Sequence, residues 1–322
     1  MRVLIAAAMA ALLGGHALAQ SFPSRPITLV VAAAAGGTTD ILARLVAKSM
    51  GENLGQSVIV ENVVGGGATV GTRRVVRAEP DGYSLIFGNM GSFAANVWLF
   101  PQLGFDPRKD LAPVGLVAIV PMVLSVSKKS GVADLPGFLA KLRSSEKGVN
   151  FGHSGPGTTG HLATATFLYV TGTKATDIAY RGAGPALNDL MSGVIDAVID
   201  QTVTMIPLHQ GGQVTAIAVS GPTRIAQLPE VRTFAEGGSP QFDLTVWNAI
   251  AAPAATPKPV LDRLEASLKM ALQDPELQRR FGDLAAQLPA ADERGAEPLR
   301  KLIANDVQRF GDIIKAVGLR AE

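Results

Sequence analysis

The chain reads as an α/β protein folded into two lobes, and three observations carry that expectation. Short apolar, β-branched runs alternate with amphipathic helical stretches, two of the runs are too long to end inside one sheet, and glycine-rich turns recur where runs give way to helices. With 322 residues there is material for two domains with sizeable cores.

Taken in order, residues 1–19 carry Arg2, an apolar run from Val3 to Leu13 and the small-residue triplet Ala17-Leu18-Ala19. That layout predicts a secretory signal peptide cleaved after Ala19 and a mature protein in the periplasm. A run of about 11 apolar residues falls short of the ~20 that cross a bilayer. No cysteine follows to take a lipid anchor.

Strands are expected at Ile27 to Ala33, Val58 to Val60, Tyr83 to Phe87, Val149 to Phe151, Ile178 to Tyr180, Ala197 to Ile199 and Val214 to Val219. Most are apolar on both faces, as in parallel sheets covered by helices on both sides. Between the first two, Leu42, Leu45, Val46 and Met50 follow the spacing of a buried helical stripe. Val114 to Val126 and Leu244 to Ala252 are longer than an ordinary strand, so each is expected to leave one sheet and enter another. Two crossover strands make a first lobe from residues 21–123 plus 245–322, a second lobe from 124–244, and a cleft with a hinge between them. From Pro257 the chain is expected to be helical, with Pro259 near a helix start and a break at Asp274-Pro275, packing back on the first lobe.

Composition excludes several classes of function. The 29 Lys+Arg against 27 Asp+Glu exert no bulk pull on nucleic acid or acidic membranes. The absence of cysteine removes disulfide frameworks, cysteine-ligated zinc, iron–sulfur clusters and thiol catalysis.

Five loops follow predicted strands, where ligands of open α/β sheets bind. Ala35, Gly36, Gly37, Thr38, Thr39 and Asp40 form a glycine turn that opens a helix, so its freed amides and the positive helix end suit an anion; without a ligand it is simply a capped tight turn. No Gly-Lys-Ser/Thr closes it, so it is not a P-loop. The second place runs from Gly152 to His161 and offers Ser154, Gly155, Thr158, Thr159 and His161. Its Gly155-x-Gly157-x-x-Gly160 matches the dinucleotide fingerprint only weakly, because Tyr180-Arg181 rather than an acid closes the next strand. Arg181 would suit a 2′-phosphate, which keeps an NADP-dependent oxidoreductase as an alternative. Ser154 between His153 and His161 keeps a Ser hydrolase as another, although Pro156 stands where a nucleophile elbow needs glycine. The histidines lack metal-ligand spacing and are expected to orient loops or accept backbone hydrogen bonds. The remaining loops bring Asn89, Met90 and Ser92, then Arg181 and Gly182, then Asp200 and Gln201. Asp200 reads equally as a cap for the helix starting at Thr202 and as a ligand contact.

Pro26-Ile27-Thr28-Leu29-Val30-Val31 with Gly36 to Asp40, Ile59-Val60-Glu61-Asn62 with Gly65-Gly66-Gly67, Ala78-Glu79-Pro80-Asp81-Gly82-Tyr83, Tyr180-Arg181-Gly182-x-Gly184-Pro185-Ala186 and Ala252-Pro253-Ala254-x-Thr256-Pro257 resemble the Bug family over essentially the whole mature chain. These are periplasmic substrate-binding receptors of tripartite tricarboxylate transporters. The resemblance implies a Venus-flytrap fold of the type II periplasmic-binding-protein kind. It also implies a monomer that binds a small organic acid without a cofactor and passes it to membrane transporter subunits. In it the loops at 35–40 and at Ser154, Gly155, Thr158 and Thr159 would hold a ligand carboxylate, with Asp200 near the distal end. The sequence departs from the family at Ala32-Ala33, where the family usually has Pro-Phe, which makes the lining beside the first loop smaller.

Overall fold

The structure, a computed structural model, describes residues 22–145 and 148–321. The leader expected at 1–19 lies outside the described residues. In the first lobe, β1 (Ile27–Val31) lies between β2 (Val58–Asn62) and β3 (Ser84–Asn89), all parallel. Helices α1 (Thr38–Leu54) and α2 (Thr69–Val76) make the crossovers. Alternation along these strands covers both faces of the sheet. Leu29, Val31, Leu85 and Phe87 share a core with Leu42, Val46 and Met50 of α1, whereas Val30 and Ile86 pack with Val75 of α2.

Strand β4 (Leu111–Ser127) carries the chain out of this lobe as one extended element of 17 residues. From Leu111 to Pro121 it pairs antiparallel with β9 (Thr245–Pro253), and from Met122 onward with β7 (Ala197–Gln201) and β8 (Val214–Val219). Pro113 sits at a register shift, which is where a residue lacking an N–H fits within a sheet.

The second lobe continues through α3 (Leu135–Ser144), β5 (Asn150–His153), α4 (Thr159–Thr171), β6 (Thr176–Ala179), α5 (Ala183–Ser192), β7, α6 (Thr202–Gln210) and β8. Strand β5 is parallel to both β6 and β7. β8 runs antiparallel to β4. Because β4 is antiparallel to β7 as well, β8 runs in the same direction as β5, β6 and β7, and β4 is the strand that opposes them.

The return crossing differs from the expected second crossover strand. β9 pairs only with β3 and β4, and residues 240–244 reach it as irregular chain. Gly237-Gly238-Ser239-Pro240 leads into that stretch, and such turn residues oppose strand extension. The hinge is one strand and one irregular segment.

Helices α7 (Lys258–Ala271), α8 (Pro275–Asp283) and α9 (Ala296–Val317) close the chain on the first lobe. Asp274 caps α8 by accepting from the Glu276 amide at 2.8 Å. Ser267 Oγ of α7 donates to the Met50 carbonyl at 3.2 Å, and Trp247 Nε1 of β9 donates to Asp306 Oδ2 of α9 at 2.6 Å.

Candidate ligand-binding cleft

A cavity of about 440 Å³ is lined from both lobes. Four helices begin at it: α1 after Gly37, α4 after Thr158, α5 after Gly182 and α6 after Gln201. Only Thr158 caps its helix with a side chain; Gly37, Gly182 and Gln201 do not. The first-turn amides of three helices therefore lack a side-chain acceptor at the edge of a cavity that receives four positive helix ends. That arrangement favours an anion without a bound cation.

Side chains complete the lining. Asn89 Nδ2 donates to Thr39 Oγ1 at 3.4 Å, while its Oδ1 accepts from the Gly91 amide at 2.9 Å. The buried Thr38 hydroxyl has no hydrogen-bond partner among the described residues. Ser154 Oγ donates to Thr158 Oγ1 at 3.0 Å, which donates on to the Gly155 carbonyl at 2.7 Å. Asp200 Oδ2 accepts from Thr204 Oγ1 at 2.9 Å. Burial pushes the Asp200 carboxyl up from its ordinary value, against the opposing pull of the Gln201 amide and the Thr204 hydroxyl. Asp200 is not the cap of α6, whose N-cap is Gln201 without a side-chain bond; it holds the Thr204 side chain in the first turn and lines the cavity. Arg181 is exposed at the lining and forms no ion pair among the described residues.

At the rims, glycine backbone meets an alanine methyl at one place and another loop's backbone at the other. A Cβ at Gly182 would stand 2.6 Å from Ala34 Cβ, and one at Gly67 would stand 2.8 Å from the Pro156 carbonyl oxygen. Both glycines have positive φ, so two tight approaches between first-lobe and second-lobe loops rest on residues without side chains.

Of the residues expected at the site, Gly37, Thr38, Thr39, Asn89, Ser154, Gly155, Thr158, Thr159, Arg181, Gly182, Asp200 and Gln201 line this cavity. Six do not. Ala35 and Gly36 form the outer side of the turn, away from the lining. Asp40 points into the scaffold, accepting from the Gly36 amide at 2.9 Å, Arg44 Nε at 3.0 Å and Asn62 Nδ2 at 2.9 Å. Burial alone would raise its pKa, but Arg44, Gly36 and Asn62 together hold it below the ordinary value. Met90 is fully buried in the core. Ser92 Oγ is spent on the Asn89 backbone, accepting from its amide and donating to its carbonyl at 3.0 Å each. His161 stacks on His153 at 4.4 Å behind the loop.

Sequence reading missed several lining residues. The Gly65-Gly66-Gly67 turn was visible as a motif, but nothing local places it opposite Pro156. Phe100 carries no signal, because it reaches the cleft through the irregular chain after a one-turn helix, Asn96–Leu99. Ala32 and Ala33 do line the cavity.

Hydrolase geometry is not assembled among the described residues. Ser154 bonds Thr158 rather than a histidine, and both nearby imidazoles accept backbone amides through Nδ1.

Two α/β lobes joined by a hinge, with helix N-termini converging on a cavity between them, define a two-lobed solute-binding protein. The chain belongs to the tripartite tricarboxylate transporter family of receptors, whose family model matches residues 42–319. It is similar to the solved structure of the periplasmic binding protein BugD, with 34% identity, a TM-score of 0.90, and coverage of 94% of this chain and 100% of that one. It is also similar to MatC from Rhodopseudomonas palustris with bound malate, at 34% identity and a TM-score of 0.87 over 91% of this chain and 100% of that one. A second R. palustris protein, solved with adipate, shares 30% identity and a TM-score of 0.87 over 93% of this chain and 99% of that one.

Proposed function

We propose that this chain is an exported, monomeric receptor that captures a small carboxylate in the interlobe cleft and delivers it to the membrane subunits of a tripartite transporter. The carrying observation is the convergence of four helix N-termini, three without side-chain caps, on one cavity. Malate in one relative and adipate in another support the ligand class. Lobe 1 comprises residues 21–123 and 245–322 and lobe 2 residues 124–244, with the hinge at β4 and the return segment. Capture needs no reaction, only convergent donors, and among the described residues Ser154 bonds Thr158 rather than a base. The leader at 1–19 directs it to the periplasm. A thermal-shift screen of mono-, di- and tricarboxylates tests the reading. A bound acid at ~100 times its dissociation constant adds ~2.7 kcal/mol to stability. No shift with any acid in that panel would remove the proposal.

A further inference from the structure

His153, His161 and Asp177 bring ligand atoms within 4.8 Å of one another, a spacing compatible with a metal ion. The proton inventory argues otherwise. The Gly155 amide donates to His153 Nδ1 at 3.1 Å and the Gly157 amide donates to His161 Nδ1 at 3.2 Å. A backbone N–H can only donate, so both Nδ1 atoms must be bare and each neutral ring carries its proton on Nε2. A metal at Nε2 would need that proton moved to Nδ1, against the amide N–H already there.

What the pair does is hold a loop. Residues 154–158 form the second-lobe wall of the cleft, and the two amides bonded by the histidines lie within that wall. The amide planes at Gly155 and Gly157 are set from behind, and with them the placing of Ser154 and Thr158. Gly155 and Gly157 both have positive φ, a conformation that glycine adopts readily but that nothing in the chain enforces by itself. The two histidines supply that enforcement. We propose that His153 and His161 are positioning residues that hold the 154–158 loop in its ligand-binding shape by accepting the Gly155 and Gly157 amides, and that protonation of His161 releases it. This rests on the carboxylate-receptor reading above.

The groups facing the His161 ring among the described residues are His153 on β5, stacked on it with an interplanar angle of 14°, and Asp177 on β6. Asp177 Oδ1 stands 2.9 Å from His153 Nε2, and the imidazole beside it holds Asp177 below the ordinary carboxylate range. Burial, followed by the neighbouring His153, pushes His161 down to about 4, with Asp177 opposing. A proton arriving at His161 Nδ1 would face the Gly157 N–H, so charging the ring and keeping the contact are mutually exclusive.

The test combines an acceptor-preserving variant with an acceptor-deleting one. Asn places Oδ1 where His places Nδ1 and does not titrate; Ala offers nothing. Adipate is the probe, with affinity measured by calorimetry from pH 7 down to pH 4, and ¹H–¹⁵N spectra following the Gly155 and Gly157 amides without ligand. In the parent, the Gly157 amide should shift with a midpoint near pH 4, and affinity should fall in step relative to His161→Asn, which shares every other pH dependence. His161→Ala should bind roughly three- to tenfold more weakly at pH 7, the scale of one hydrogen bond. His161→Asn should recover most of that loss and show no acid shift of the Gly157 amide. Protonation of adipate itself is common to all three proteins, so only the difference between parent and His161→Asn counts. A Gly157 amide that does not respond to pH, or an Asn variant no better than Ala, overturns the proposal. If the parent binds no carboxylate at pH 7, the receptor reading fails and takes the affinity arm with it. The amide titration then still decides whether the histidine contact exists.

Discussion

Individual side chains in the cleft divide by what they touch. Asp40 carries a buried carboxylate that never meets the cavity, yet it binds the Gly36 amide and so sets the turn from which α1 departs. Asp40→Ala leaves that amide and Arg44 without their partner, and should cost about 1–3 kcal/mol in denaturant unfolding. Its pKa is depressed in the fold, so its contribution is full above the unfolded value of 3.8 and disappears as pH falls through the lower folded value. An acid-unfolding curve for Asp40→Asn should lose that component. Asp200 behaves in the opposite sense. Its carboxyl is pushed up by burial, so lowering the pH neutralises it and removes its repulsion of a second ligand carboxylate. Dicarboxylate affinity should therefore rise as Asp200 takes up its proton, and Asp200→Asn should bind a dicarboxylate several-fold more tightly at pH 7 with that pH dependence gone. Calorimetry at stepped pH reads both. Which glycine matters was not legible from sequence. A Cβ at Gly37 would meet only ordinary contacts within the protein, the nearest at 3.5 Å. Gly182 has no such room, because the atom it approaches comes from a loop about 150 residues earlier. Gly182→Val should prop the rim open and weaken adipate binding at least tenfold without loss of the thermal transition.

Elements were the most legible scale, and the reasons are local. The stripe through Leu42, Val46 and Met50 and the Asp274-Pro275 break involve neighbours within one or two turns, so periodicity and cap chemistry identify α1 and the start of α8. The route of the return crossing depends on partners far along the chain. The run Leu244 to Ala252 therefore reads as a second crossover, although as β9 it pairs only with β3 and β4. The same distance hides how the hinge is anchored. Trp247 in β9 stacks on Phe93 with ring centroids 6.0 Å apart and donates to Asp306 of α9, which Arg309 also contacts at 3.1 Å. Strand β9 is thus tied to the terminal helix as well as to β4. Trp247→Phe keeps the ring and leaves a buried carboxylate short of one donor, so it should lower stability by about 1–3 kcal/mol. A melting temperature equal to the parent's would show that the Asp306 contact contributes nothing.

At the scale of the whole molecule, the first lobe is assembled from both ends of the chain, and α9 lies across β4 and β9 where the chain passes between lobes. If the lobes open, bending is expected in the middle of β4 and at residues 240–244, with the rims at Ala34 with Gly182 and at Gly67 with Pro156 moving apart. Those rims contribute close backbone contact but almost no side-chain area, so the closed arrangement gains little from the protein alone. A ligand that touches both lobes adds its contacts only to the closed form, and that difference in affinity is what can shift the population. Small-angle scattering should then give a radius of gyration near the ~19 Å expected of a compact chain of this length when adipate saturates the cleft, and a larger value without it. The change should be absent in Gly182→Val, where the rim cannot meet. A parent whose radius is the same with and without saturating ligand would mean that the cleft binds without closing, and the hinge assigned to β4 and its return segment would have no role in capture.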